Sequence, residues 1–158
     1  MITISKATSK DKDQLKNFFS HYKIKDYIEK RIDSYLNFNH TIIAKDDVKI
    51  IGTIQWLIKE DPNLGVVEFE EINVIFGYQK QGIGSKLITA AINSVKEYFN
   101  QNNLKLRKIY LFVSEDNLVA QNFYKKFGFK QEAKINNLFS DSANELFYIL
   151  DLSQQKYV

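Results

Sequence analysis

The stretch YQKQGIGSK, residues 78–86, holds Gly82 and Gly84 with Lys80 and Lys86 beside them. A strand-like run precedes it and an apolar run with helical spacing follows. That layout aims backbone N–H groups and the positive end of a helix dipole at an anion. Two familiar phosphate-binding patterns can be tested by spacing. A G-x-G-x-x-G fingerprint needs a third glycine where Leu87 stands. A P-loop needs G-x-x-x-x-G-K-[ST]; Gly77 and Gly82 have the right separation, yet Ile83 occupies the lysine position. Neither pattern is met, and Gly-x-Gly alone reads equally well as a helix-start turn needing positive φ.

A second group of chemistry-bearing residues lies just upstream in VVEFEEINVIF, residues 66–76. Val67 and Phe69 alternate with Glu68 and Glu70, after which Ile72 and Val74 alternate with Glu71 and Asn73. The apolar phase slips by one residue between Glu70 and Glu71. Strand side chains have period two, so the slip predicts a β-bulge, which lets Glu68, Glu70, Glu71 and Asn73 lean toward one polar side. The competing reading is a set of surface glutamates on a half-exposed strand. A third group is NLVAQNFYKKFGF, residues 117–129, where Tyr124 carries a hydroxyl able to hold a proton at pH 7. Phe123, Tyr124 and Phe127 also form an aromatic core stripe at helical spacing. Asn117 is placed to cap that helix.

Composition narrows the chemistry. The 158 residues include no cysteine, which excludes disulfides, thiolate metal sites and a cysteine-acyl intermediate. Two histidines, His21 and His40, make a metal centre unexpected. The net charge of +3 is mild and the lysines are scattered among acids, so no nucleic-acid partner is expected. No run approaches the apolar length of a membrane span. The N-terminal MITISKATSK has no signal-peptide core, leaving the cytoplasm as the default compartment.

The elements that must position these residues follow from periodicity. ITISKA (2–7) reads as a strand, and a helix opens at Ser9, a competent cap, and runs to Tyr22. Residues 26–38 form a second helix, with Tyr27, Ile28, Ile32, Tyr35 and Leu36 recurring at three and four. Strands are predicted at 40–46, 49–60 and 66–76, separated by turns at Asp46-Asp47 and DPNLG. Leu87, Ile88, Ala91, Ile92, Val95, Tyr98 and Phe99 mark a long amphipathic helix. KIYLFV (108–113) is continuously apolar and predicts a strand buried on both faces. A helix over 117–127, stopped by Gly128, precedes strands at 129–135 and 145–152. No repeat or linker divides the chain, and a single domain over residues 1–158 is expected. The order β-α-α-β-β-β-α-β-α-β-β is an α/β arrangement around a mixed sheet.

Gln79-x-x-Gly82-x-Gly84 resembles the Q/R-x-x-G-x-G/A motif of the GNAT superfamily of acetyl-CoA-dependent N-acetyltransferases. The likeness takes in EEINVIFGYQKQGIGSKLI, and a second block, Asn117-x-x-Ala120-x-x-x-Tyr124-x-x-x-Gly128-Phe129, looks like the family's later motif. ISKATSKDKDQL is similar to its usual opening. The sequence departs from the common pattern in three places: Ile75-Phe76-Gly77 stands where a proline often follows the strand, Gln79 takes the accepted variant in place of arginine, and Lys80 replaces a glycine.

The resemblance implies the GNAT fold, a mixed, mostly antiparallel sheet of about seven strands flanked by four helices. It implies acetyl-CoA as cosubstrate and no metal. The N–H groups of Gln79, Lys80, Gln81, Gly82, Ile83, Gly84 and Ser85 would hold the pyrophosphate, and the main chain of Ile72, Asn73 and Val74 the pantetheine arm. Asn117 would contact the cofactor and Tyr124 would be the acid. Polyamine acetyltransferases carry a Glu-Asp pair in place of Glu70-Glu71, which makes Glu70 the expected base. Trp56, Tyr22, Tyr27 and Tyr35 are candidates for the acceptor pocket or for ordinary core.

The expected partner is a small, cationic amine, with proteins or peptides as the alternative acceptors and no membrane. A homodimer is compatible with such a chain. The rival outside enzymes is a coenzyme-A-binding sensor that retains the loop without turnover.

Overall fold

A computed structural model describes residues 1–22 and 24–153 of the chain. The described residues form β1 (Ile2–Lys6), α1 (Lys12–Phe18), α2 (Lys25–Asn37), β2 (His40–Asp46), β3 (Lys49–Leu57) and β4 (Val66–Val74). They continue through α3 (Ile83–Gln101), β5 (Lys108–Ser114), α4 (Leu118–Lys126), β6 (Lys130–Ser140) and β7 (Ala143–Asp151). The strands hydrogen-bond in the order β1-β2-β3-β4-β5-β7-β6. The β1–β2, β2–β3, β5–β7 and β6–β7 ladders are antiparallel, while β4 and β5 run parallel. This is the mixed seven-stranded, four-helix arrangement expected of the sequence. The end of the expected 1–158 domain, beyond Ser153, lies outside the described residues.

The chain forms two compact units. One comprises Met1–Leu57 and Glu70–Tyr98; the other comprises Ile58–Phe69 and the described residues from Phe99 onward. In the first, Leu15 and Phe19 from the α1 segment meet Ile32 and Tyr35 of α2 and Ile43 and Ile50 of the strands. All are nearly inaccessible, and burying a side chain of this size stabilises the fold by about 1.5–3 kcal/mol. Ser9 is not the cap of α1. Residues Ser9–Asp11 form a 3-10 turn, and the Asp11 carboxylate accepts from the Thr8 N–H at 2.8 Å and the Thr8 hydroxyl at 3.0 Å. Asp11, nearly buried and paired with Lys45, ties that turn to β2, so α1 begins only at Lys12.

In the second unit, Ile109, Leu111 and Val113 of β5 are buried, but Lys108, Tyr110, Phe112 and Ser114 are only half-buried. The continuous apolar run therefore does not reflect burial on both faces. Its second face carries an aromatic group: Tyr110, Phe112 and Phe139 join Phe147 of β7, with neighbouring ring centroids 5.2–6.1 Å apart. Gly65 (φ 65°) makes the turn before β4, where a Cβ would lie 2.1 Å from the Lys105 carbonyl oxygen, so no other residue fits.

Trp56 belongs to the core rather than to an acceptor pocket. It is fully buried, stacks on His40 at 3.6 Å between centroids, and donates from Nε1 to Ser94 Oγ at 3.2 Å. Burial, with Lys6 nearby, lowers the His40 pKa from its ordinary 6.5 to about 4. The unfolded chain therefore binds the extra proton between those two values. His40's part in stability is intact above pH 6.5 and falls as the pH drops toward 4. Discounted for partial exposure, the loss at pH 5 is about 1 kcal/mol, or about 2–4 °C in Tm. Melting curves at pH 7 and pH 5 should show that extra drop for the wild type and not for His40→Gln.

Candidate functional site

The glycine loop and the start of α3 lie in the first unit. Ile83, almost fully buried, is the first apolar anchor of α3 and sets where the helix begins. Lys86 N–H donates to the Gly82 carbonyl at 3.0 Å, the first i→i−4 bond of the helix. The N–H groups of Ile83, Gly84 and Ser85 precede it and have no acceptor within the helix. Upstream, the backbone alternates into positive φ at Gly77 (92°), Lys80 (60°) and Gly82 (77°). Such reversals turn successive N–H groups toward a common concavity. A Cβ at Gly82 would meet no atom within 4 Å, so the space beside its backbone is open.

Two glutamine side chains stiffen the loop from within. Gln79 Nε2 donates to the Val74 carbonyl at 2.9 Å and Gln81 Nε2 to the Gly77 carbonyl at 2.8 Å. Tyr78 donates its hydroxyl to Asp46 at 3.0 Å, fastening the loop to the end of β2. The side chain of Gln79 is thus occupied in shaping the turn, while its N–H remains a main-chain matter. Ile72, Asn73 and Val74 lead into the loop as the last residues of β4. The close approach of β3 here depends on Gly52, whose added Cβ would stand 2.9 Å from the Asn73 carbonyl oxygen and 3.0 Å from Leu87 Cδ1. A glycine inside an otherwise unbroken strand pattern is the signal for such an approach.

The glutamates of β4 find different partners. Glu68 is nearly buried in the second unit, paired with Lys59 and accepting from the Tyr110 hydroxyl at 3.0 Å. It therefore has a neutralising contact of its own and does not join a three-carboxylate cluster. Glu70 accepts from Asn39 Nδ2 at 3.2 Å and lies 4.0 Å from Arg31 Nη2. Glu71 accepts from Tyr22 at 3.3–3.4 Å and from Asn73 Nδ2 at 3.1 Å. A regular pleat sends consecutive side chains to opposite faces. Here both reach one set of residues around Arg31, as the phase slip in the sequence leads one to expect.

That set is built on α2. Tyr27, Arg31 and Tyr35 recur at i, i+4 and i+8, so they share one helix face. The Arg31 guanidinium donates to the Tyr27 hydroxyl at 2.8 Å and makes a short hydrogen bond to the Tyr35 hydroxyl. Its carbon lies 5.1 Å from the Tyr35 ring centroid, 5.7 Å from Tyr27 and 6.0 Å from Tyr22. Of the pocket candidates, Tyr35 is nearly inaccessible, Tyr22 is half-buried and Tyr27 is exposed. Burial pushes the Tyr35 hydroxyl well above its ordinary pKa, against the pull of Arg31 and with Glu70 and Glu71 adding to the rise. Arg31 and Asn39 escape a reading of the sequence for catalytic types. The Tyr-x-x-x-Arg-x-x-x-Tyr spacing is the one signal that could have found Arg31.

In the second unit, Asn117 caps α4, its Oδ1 accepting from Ala120 N–H at 3.0 Å. The capping alternative is realised. Tyr124 is nearly buried on the same helix, edge-to-face with Phe123 and Phe129 at 5.3 and 5.7 Å. Gln121 holds the strand before the helix through bonds to the Ser114 and Glu115 carbonyls at 3.3 and 2.8 Å. Gly128 (φ 87°) ends the helix, as its position predicts. Among the described residues no group of three His, Cys, Asp or Glu is placed to hold a metal ion, and no helix is long and apolar enough to cross a membrane.

Residues 10–129 match the acetyltransferase (GNAT) family. An N-alpha-acetyltransferase of Sulfurisphaera tokodaii is 34% identical over 109 residues, covering 63% of this chain and 61% of that protein. A spermine/spermidine N(1)-acetyltransferase of Bacillus subtilis is 30% identical over 77 residues, covering 49% of this chain and 47% of that protein. The matches thus span about half to three-fifths of these relatives. A GNAT acetyltransferase of Elizabethkingia anophelis with acetyl-CoA bound superposes with a TM-score of 0.71, at 22% identity and over 96% of this chain and 98% of that one. The family match spans most of the chain and takes in both the glycine loop and α4. This protein belongs to the GNAT acetyltransferase family.

Proposed function

We propose that this chain, acting as one domain, transfers an acetyl group from acetyl-CoA directly to a primary amine, and that its acceptor is a small polycation. The observation that carries the reading is the N-terminus of α3. First-turn N–H groups without an intrahelical acceptor, backbone reversals at Lys80 and Gly82, and open space beside Gly82 suit a bound pyrophosphate. Residues Gln79 to Ser85 would donate to it, and the Ile72–Val74 main chain would hold the pantetheine arm. When bound, acetyl-CoA supplies an activated thioester.

The chain's own side chains then have two protons to manage. An alkylammonium of pKa about 10.4 is neutral in roughly one molecule in 2,500 at pH 7. Glu70, a carboxylate held by Asn39 and Arg31, takes the amine's proton, directly or through one water. With acetyl-CoA bound, the nitrogen would attack the thioester carbonyl, the C–S bond would break as the Tyr124 hydroxyl gives its proton to the departing sulfur, and the second proton left on the acylated nitrogen would pass through solvent to restore the Tyr124 hydroxyl. Asn117 orients α4 through its cap. Glu70 and Glu71 place two carboxylates side by side, which favours an acceptor charged beyond its reacting amine.

Peptide N-termini are the second reading, supported by the 34% identity to the archaeal N-alpha-acetyltransferase. Thiol release from acetyl-CoA, measured with spermidine, a neutral-tailed monoamine and a short peptide with a free α-amine, separates them. Spermidine should turn over fastest. Equal rates with the two small amines would remove the cationic preference, and fastest turnover with the peptide would favour the second reading. Glu70→Gln should lower turnover by about 10²-fold or more at low pH, where neutral amine is scarcest, and by less as pH nears the amine's own pKa. A uniform loss at every pH would leave Glu70 without the role of base.

A further inference from the structure

We propose that Arg31 is a positioning residue that fixes the Glu70 carboxylate and keeps it ionised, with Tyr27 and Tyr35 as its anchors. The geometry is specific. Arg31 occupies the middle of a helix stripe whose other members, one turn before and one turn after, both accept from its guanidinium. Those two bonds use Nε and Nη1 and leave Nη2 facing Glu70 Oε2 at 4.0 Å. The tyrosine rings flank the same group at 5.1–6.0 Å, so the side chain is held by hydrogen bonds and by contact with aromatic faces at once. Only a planar, multi-donor cation can serve two hydroxyls and a carboxylate from one position.

Among the described residues, the charged and titratable groups around Glu70 include Arg31, Glu71 and the hydroxyls of Tyr22, Tyr27 and Tyr35. Glu71, its neighbour on the strand, opposes ionisation of Glu70, and Arg31 favours it. Burial raises the Tyr22 and Tyr35 hydroxyls above their ordinary value, and the three tyrosines act by holding Arg31 and Glu71. An opposite charge within about 4–6 Å lowers a carboxylate pKa by 1–3 units. Removing Arg31 takes away a positive charge that opposes the effect of Glu71, so Glu70 would protonate at a higher pH. The consequence for turnover rests on Glu70 as the proton acceptor; the consequence for its ionisation does not.

The test follows the Glu70 carboxyl by carbon-13 NMR titration of the full chain, assigned by its loss in Glu70→Gln, in parallel with the pH profile of kcat/KM for spermidine. Arg31→Gln keeps a polar head for Tyr27 and Tyr35 while removing the charge. It is expected to raise the Glu70 pKa by about one unit or more, and to move the acidic limb of the profile up with it. Arg31→Lys returns the charge without the fork and is expected to restore only part of the shift. Tyr27→Phe, an exposed substitution that loosens one anchor, should give a smaller rise and keeps the question decidable should Arg31→Gln not fold. An unchanged Glu70 pKa in folded Arg31→Gln, or in Tyr27→Phe if that is the variant read, overturns the inference. A raised pKa with an unmoved acidic limb upholds Arg31 as the positioning residue and removes Glu70 as the base.

Discussion

Tyr124→Phe is expected to lower kcat for acetyl transfer by about 10²–10⁴-fold, the span of a single acid–base group, while leaving the affinity for acetyl-CoA nearly unchanged. The substitution deletes one oxygen and keeps the ring that packs edge-to-face on Phe123 and Phe129. The melting temperature should therefore shift by only a few degrees. A protonated tyrosine hydroxyl can donate to a departing thiolate as that charge develops. Single-turnover kinetics with a saturating amine isolate the step. A folded phenylalanine variant with wild-type turnover would return Tyr124 to the role of core aromatic, which its burial and its place in a stripe of rings also allow.

Gly84→Val should weaken acetyl-CoA binding by about 10- to 100-fold, read by calorimetry on the folded variant. Gly84 is the second residue of α3, inside the first turn whose N–H groups have no intrahelical acceptor. A branched side chain there holds a phosphate away from those donors. Each charge-assisted hydrogen bond lost costs about 1.5–3 kcal/mol. The helix itself should tolerate valine, which has a higher helix propensity than glycine, so a loss of affinity would not reflect melting of the turn. Gly82→Ala offers the contrast. Its Cβ meets nothing in the protein, but the residue sits at φ 77°, so strain of about 1 kcal/mol should fall on the loop's conformation. Unchanged affinity in Gly84→Val would reduce the glycine pair to a turn.

Much of the fold was legible because its signals are local. Apolar spacing of three and four marks α2 and α3, and alternation marks β1, since each is set by the geometry of neighbouring residues along one element. The glycine loop and the Glu70-Glu71 phase slip belong to the same class. What the sequence misjudged depends on contact between distant segments. β5 reads as doubly buried because its residues are apolar, yet how far each face is covered depends on the rings of β6 and β7 that happen to meet it. The start of α1 moved from Ser9 to Lys12, with Asp11 at its cap, because Asp11 is held by Lys45 of β2, a partner no local pattern announces. Glu68 parted from Glu70 and Glu71 because Lys59 and Tyr110 claim it. The residue types able to move protons, and the loop able to hold an anion, are thus properties of the sequence. Which carboxylate stands beside Arg31 was decided only in tertiary structure, because charge–charge interactions depend on distances that only the packing of α2 against β4 sets.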